Sequence, residues 1–379
     1  MAYYSAVQAS SLKQYYSEND IVDFIIKMKP NKAILPGSIR LSGDLNVTTN
    51  RTTNEAIVLE DMVHLDQFAG VHSFFRSINT QVNNSTIENV QQYPRIVSMM
   101  TQANNTLESL VTESSNLCEL KGLTNNFQLV GNSYVGDAKT ISFSMLPQIS
   151  LNMASDMLSQ QSFQNIQLSM VLSNSVEALY TNLKTDDPRM KKDLTKFSAL
   201  QYKLFNLLLS WTEVDMITTK AQPVVMPVKH VYNQTVTSQT SYLNITTPML
   251  YNAMSISFMK QSERNSIFHN NLKCSKIFGL DDVGGSLELL INGTDTIIPY
   301  QIEDYQDVAV NYLKSLNGNV NKNVIMNKFM ETQSFGIGFQ MLTSSNDRLA
   351  INLKINGSAY NNVIPKYDAF IYINSFIEI

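Results

Sequence analysis

Alternation with a period of two is the feature that most restricts this chain. After the turn at Pro36-Gly37, Ile39, Leu41, Leu45 and Val47 alternate with Arg40, Ser42, Asp44 and Asn46. That pattern places one face of an extended strand in a core and the other in water, and a helix, whose apolar positions recur every three or four residues, does not satisfy it. The same period returns at Ile141, Phe143 and Met145 against Ser142 and Ser144, and at Ile166, Leu168, Met170 and Leu172 against Gln167, Ser169 and Ser173. Further strands are expected at Ile57 to Leu59, Val71 to Ile78, Phe335 to Met341, Leu349 to Ile355 and Tyr367 to Ile379. Eight half-buried antiparallel strands with long connections fit a mainly β sandwich in Greek-key order better than a βαβ fold, because the intervening segments are not regular helix-length crossovers.

Helical signals fall between those strands. Ser85-Thr-Ile-Glu88 has the capping-box pattern and predicts a short helix that Pro94 kinks or ends. Asp187-Pro188 predicts the start of a long amphipathic helix whose stripe is Met190, Leu194, Phe197, Leu204, Leu208 and Trp211. A last helix is predicted from Asp304 to Leu316, and Leu287 to Ile298 reads as a hairpin turning at Asn292-Gly293. Strand alternation also returns between Val224 and Phe258. If the eight strands make one sandwich, the chain divides into an N-terminal arm at 1–32, a sandwich built from 33–173 and 333–379, and a large mixed α/β insertion at 174–332. No internal repeat is visible.

Composition narrows the function. Only 16% of the 379 residues are charged, and the polar surface is built instead from uncharged groups, with 39 Asn among them. A net charge of −4 gives no electrostatic reason for tight nucleic-acid binding. The N-terminus lacks a basic region followed by an apolar core of the secretory kind, and no apolar run approaches a membrane span. Cys118 and Cys274 stand far apart and match no metal-ribbon or disulfide spacing.

Candidates for chemistry are few. His64 and His72, near Asp61 and Asp66, are a conceivable metal pair without a third ligand. His269 with Cys274 is half of a zinc site or of a thiol and base pair. Gly336-Ile-Gly338 lacks the third glycine and the helix of a dinucleotide loop and reads as close packing or a bulge. Asp281-Asp282-Val-Gly284-Gly285 reads as a turn rather than a calcium loop, and Arg189, Lys191, Lys192 and Lys196 as a solvated helix face. No catalytic, cofactor-binding or metal-binding residue is therefore assigned and no cofactor is expected. Few charges together with 18 Met, 17 Tyr and 17 Phe are what a self-associating surface needs. A glycan- or receptor-binding β-sandwich, using the Asn292-Gly293 hairpin or the 233–247 region, is the alternative.

Several stretches carry a family likeness. Pro36-Gly-Ser-Ile-Arg-Leu-Ser-Gly43, Gly70-Val-His-Ser-Phe-Phe-Arg-Ser-Ile78, Thr86-Ile-Glu-Asn-Val-Gln-Gln-Tyr93 and Tyr367-Asp-Ala-Phe-Ile-Tyr-Ile resemble the penton (vertex, minor capsid) proteins of Sputnik-type virophages. The resemblance implies a single jelly roll with an outward insertion domain, five copies of which form the vertex of an icosahedral double-stranded DNA virus. It implies a homo-pentamer at the capsid vertex of the virion, made in the host cytoplasm and flanked by double jelly-roll trimers of a major capsid protein. It brings no catalytic residue, no membrane span and no specific nucleic acid.

Overall fold

The computed structural model describes residues 2–11, 13–48, 63–104, 140–181, 200–216, 223–236, 242–246, 251–274, 286–291, 295–301, 305–316, 336–345, 350–356 and 366–379. Its principal strands fall into two sets of eight. The first set is β1 (Ala2–Gln8), β2 (Ile21–Lys27), β3 (Arg40–Thr48), β4 (Phe75–Val82), β5 (Ser85–Gln91), β6 (Ile141–Met145), β7 (Asn165–Leu172) and β8 (Gln201–Asp215). They pair antiparallel in two sheets, β1-β8-β3-β6 and β2-β7-β4-β5, and two short strands at Lys32–Ile34 and Leu158–Ser159 extend the first sheet beside β8. Successive strands cross from one sheet to the other except at the β4–β5 hairpin. That is the jelly-roll order.

The second set is β9 (Val225–Val236), β10 (Tyr242–Thr246), β11 (Tyr251–Lys260), β12 (Ser286–Ile291), β13 (Asp295–Gln301), β14 (Ile337–Ser345), β15 (Ala350–Asn356) and β16 (Tyr367–Glu378). Its sheets run β9-β16-β11-β14 and β10-β15-β12-β13. Adding eight to each strand number turns the first roll into the second. The duplication extends to the helices: α1 (Tyr93–Asn104) follows β5, and α2 (Tyr305–Ser315) follows β13.

The expected antiparallel jelly-roll fold is therefore present, but as two rolls rather than the single one assembled from 33–173 and 333–379: the strands at 337–378 belong to the second roll. The boundaries drawn from sequence do not follow the pairing. β8, inside the segment expected as an insertion, pairs with β3, while β16 pairs with β9 and β11 from that same segment. The described residues of 174–332 form strands of the two rolls, a two-residue strand at Tyr180–Thr181 paired with Val63–His64, two helical segments and connections, not a separate mixed α/β domain. Residues 1–32 are no detached arm either, since β1 pairs with β8 from Ala2↔Val214 to Gln8↔Leu208 and β2 pairs with β7.

Two helix expectations fail for local reasons. Asn83 and Asn84 both have positive φ, 49° and 67°, the geometry of a two-residue hairpin turn. Ser85–Gln91 consequently returns as β5, and Pro94 sits in the first turn of α1, where a missing N–H costs nothing. The second failure is the long stripe. Residues 182–199 lie outside the described residues, but 201–215 is β8. Tyr202 and Leu204 are buried, then Leu207, Leu209 and Trp211. The change from even to odd positions comes at a β-bulge where Asn206 has φ 51°. A bulge adds one residue and returns the following side chains to the same face. The predicted stripe passes from Leu204 to Leu208 and Trp211 at helical spacing, but in β8 Leu208 is only half-buried and lies on the other face from Leu207, Leu209 and Trp211.

The core of the first roll lies between its sheets, with Phe74 and Tyr202 ring centroids 4.5 Å apart and the Tyr202 hydroxyl donating to Ser173 O at 2.5 Å. The expected strands at 39–47, 141–145, 166–172, 349–355 and 367–379 and the helix at 304–316 are present within a few residues. Residues 71–78 are half 3-10 turn and half β4. The expected strand at 57–59 lies outside the described residues.

Candidate assembly surface

The two rolls meet along a buried seam formed by β9 against β5 and the 3-10 turn at Ser150–Met153, with Arg95 of α1 reaching across it to the outer face of the β9-β16-β11-β14 sheet. α1 carries one charge in its sequence YPRIVSMMTQAN, and the fold buries it. Arg95 is 2% exposed, with its guanidinium 4.3 Å from the centroid of Phe370. Its Nη1 donates to Ser257 Oγ at 3.3 Å and its Nη2 to the carbonyl of Asn271. Burial lowers its pKa, although a guanidinium starts so high that it keeps its proton. The Tyr372 hydroxyl donates back to Gln92 O at 3.4 Å, and Asn104 Nδ2 donates to Leu316 O at 3.2 Å beyond the end of α2.

Asp66 ties three segments together at the same seam. Its Oδ1 accepts from the N–H groups of Phe68 and Ala69 and from Ser98 Oγ of α1, at 3.0, 2.6 and 2.9 Å, while Oδ2 accepts from Asn270 of the second roll at 2.8 Å. Behind Phe370, Asp368 accepts from Arg264, from Gln261 at 2.9 Å and from Thr235 at 3.1 Å. Burial alone would raise the pKa of that carboxyl, but these donors outweigh it and hold it below the ordinary value.

A second buried cation, Lys229 of β9, lies opposite the buried Glu88 of β5. Burial pushes its pKa down and Glu88 partly restores it, and its Nζ lies 3.8 Å from Met153 Sδ. Glu88 Oε2 accepts from the N–H of Ser150 at 2.9 Å. Lys229→Met should destabilise the chain by about 2 kcal/mol, because it strands a buried carboxylate. Adding Glu88→Gln should recover most of that loss, as read by urea unfolding in a double-mutant cycle. The pKa of the folded ammonium is depressed, so the unfolded chain binds the extra proton as pH climbs toward 10.5. The single Lys229→Met variant should therefore remove a rise of stability with pH in that alkaline window.

The residues considered for chemistry from sequence are not brought together. His64 is buried and stacks on Tyr180 with centroids 5.5 Å apart. His72 Nδ1 and the Tyr93 hydroxyl are 2.8 Å apart, and that hydroxyl also accepts the N–H of Gln148 at 2.9 Å. The Cys274 thiol accepts the N–H of Phe258 at 3.3 Å, and burial raises its pKa. His269 belongs to the turn before it, its N–H donating to Ser266 O. Gly336 and Gly338 are points of close packing, as their spacing suggested: a Cβ at Gly338 would lie 2.6 Å from Tyr312 Cα of α2. Asp281, Asp282, Arg189, Lys191, Lys192, Lys196 and the Asn292-Gly293 turn lie outside the described residues. Among the described residues no group of three His, Cys, Asp or Glu side chains could hold a metal ion, and no helix is long and apolar enough to cross a membrane.

What the described surface does offer is apolar area along the free edges. Tyr3, Tyr4, Tyr15, Ile21, Ile25 and Leu35 are all exposed and all fall within the first 35 residues, on or beside β1 and β2. β1 and β2 are the outer strands on one flank of the first roll, the flank away from β5 and the seam.

No protein-family profile and no curated protein matches the sequence. Solved structures do match. The Faustovirus major capsid protein superposes with a TM-score of 0.65 at 8% identity, covering 100% of this chain and 90% of that one. The mavirus major capsid protein gives 0.55 at 10% identity over 99% and 90%. A chain of the Sputnik virophage gives 0.56 at 11% identity over 100% and 85%. What the chain shares with these capsid proteins is the fold. At these identities the likeness is one of architecture, and it spans both rolls, including residues 174–332. The expected resemblance to a virophage vertex protein is thus met as a jelly-roll capsid fold, with nothing that singles out a vertex subunit.

Proposed function

We propose that this chain is a structural capsid protein that builds the shell of an icosahedral virus by association with copies of itself. The observation that carries the reading is the duplication: two jelly rolls of identical strand order in one chain. The seam joins unlike sides, the β5 side of the first roll to β9 of the second. Unlike sides that join head to tail close into a ring when repeated between chains, provided the rotation closes. Three chains supply six similar rolls, an outline that tiles a hexagonal lattice. Five supply ten, which does not match the single ring of five that a vertex needs.

The trimer is therefore the favoured arrangement, with the virion shell as its location and other capsid subunits as its partners. The role is read as structural rather than enzymatic, because Arg95 and Asp66 of the seam are engaged in holding the two rolls together. The pentameric vertex suggested by the short sequence likeness is the competing arrangement. Light scattering coupled to gel filtration on the full chain separates them. A species of about three times 42.7 kDa is expected, with a triangular or hexagonal outline in projection. A fivefold ring would overturn the trimer and restore the vertex assignment, and a strict monomer that does not join capsids would sink both.

A further inference from the structure

We infer that the outer face of the β1-β8-β3-β6 sheet is the contact surface for a second copy of this chain; the inference rests on the self-assembly reading above. The argument comes from the duplicated roll. In the second roll the equivalent face is covered: Ser255 and Ser257 of β11 stand opposite Tyr372 and Phe370 of β16. All four are at most 2% exposed beneath α1 and α2. In the first roll, β3 and β8 repeat that arrangement, with Ser42 opposite Leu208 and Asp44 opposite Phe205. These four residues are not fully buried, and beside them Tyr4 of β1, opposite Thr212, is 73% exposed. Among the described residues the same kind of face occurs twice and is covered once.

The charges on this face are already matched within the sheet. Asp44 accepts from Ser142 Oγ and Asn206 Nδ2, both at 2.7 Å. Arg40 donates from Nε to Ser144 Oγ at 3.1 Å, and Lys203 lies 4.7 Å from the centroid of Tyr15. Polar groups that keep their partners when water leaves remove the main cost of covering a surface. Tyr15 and Phe205, with ring centroids 6.1 Å apart, supply the aromatic pair that interface centres favour. The occupant is the second roll of a neighbouring copy, because the cover in the duplicated case is itself part of a jelly roll of this chain.

The test uses the full chain with Leu208→Arg and Thr212→Arg together, and Gln81→Arg on the opposite sheet as control. Circular dichroism and the fluorescence of Trp211 verify that each variant folds. The double variant should raise the dissociation constant of the oligomer by about 30-fold or more, while the control leaves it unchanged. Amide exchange in β1 and β8 should slow on assembly in the unsubstituted chain. A trimer that survives both arginines, with β1 and β8 exchanging as fast as in the monomer, overturns the face and leaves the trimer standing. A pentamer dissolved by the same pair supports the face and overturns the trimer. A chain that never associates overturns both.

Discussion

Arg95→Ala should split the unfolding of the chain into two transitions and cost about 4 kcal/mol. The side chain is the main polar tie between the rolls. Its loss removes the nearer of two guanidinium groups from Phe370, leaves the Asn271 carbonyl and the Ser257 hydroxyl without that donor, and opens a cavity under α1. An unsatisfied buried acceptor costs roughly 1–3 kcal/mol, and a truncated buried side chain adds a comparable amount. No carboxylate is bonded to this guanidinium among the described residues, so its removal strands neutral acceptors rather than an opposite charge. Arg95→Met, which fills the space but cannot donate, should therefore lose about half as much. The readout is built in. The single tryptophan, Trp211, lies in β8, and its Nε1 donates to the buried Glu213 at 3.0 Å, so its fluorescence reports the first roll while circular dichroism reports both. Coincident denaturant curves in the unsubstituted chain and separated ones in Arg95→Ala are expected. Curves that still coincide at an unshifted midpoint would show that the seam does not depend on Arg95.

Which parts of this architecture the sequence discloses follows from where the period of two survives. In β3, β6 and β7 the alternation runs unbroken, because each strand has one face in the core and one outside. The helix α2 is equally plain, since Val308, Tyr312 and Leu316 recur at helical spacing. β8 is hidden by its own bulge: the insertion at Asn206 changes the phase of the pattern, and a strand with a phase change reads like a helix. β5 is hidden because Ser85 and Glu88 fit a cap as well as a strand, and the left-handed pair Asn83-Asn84 decides between them only in three dimensions. β1 looks like a tail because it is an edge strand with most of its residues exposed. The duplication leaves no trace in residue identity, since two rolls need the same strand order but not the same side chains. The seam is half legible. A lone Arg in α1 and a lone Lys in VMPVKHVYNQTV stand out as charges in otherwise uncharged elements, yet Ser257 and Phe370 beside the first and Glu88 beside the second come from strands far off in the sequence.

Gly338→Ala should cost roughly 4 kcal/mol or more, far beyond an ordinary glycine substitution. α2 lies so close on β14 that an added Cβ would meet Ser315 Oγ at 2.1 Å, Tyr312 Cα at 2.6 Å and Ser315 Cβ at 2.8 Å. Two of those atoms belong to the helix framework, and no rotamer change moves them. The neighbouring Gly336 is tighter still, with Ile256 O only 1.7 Å from the position of its Cβ. Combining Gly338→Ala with Ser315→Ala removes the hydroxyl clash but leaves the other two, so the rescue should be partial. It also deletes the hydroxyl that stands 2.8 Å from Ser255 Oγ and donates to Tyr312 O at 2.6 Å. Gly37 supplies the contrast. It has φ 72° in the turn closed by Ser38 N–H to Leu35 O, and the nearest atom to its Cβ is Asn152 O at 3.7 Å. Alanine there should cost only the backbone strain, about 1 kcal/mol. Urea midpoints rank the three variants, and amide exchange locates the damage: it should accelerate in α2 for Gly338→Ala and not for Gly37→Ala. Equal, small losses at Gly37 and Gly338 would mean that α2 can ride away from the sheet freely. The cover over Ser255 and Ser257 would then be too loose to serve as the pattern for a contact between chains.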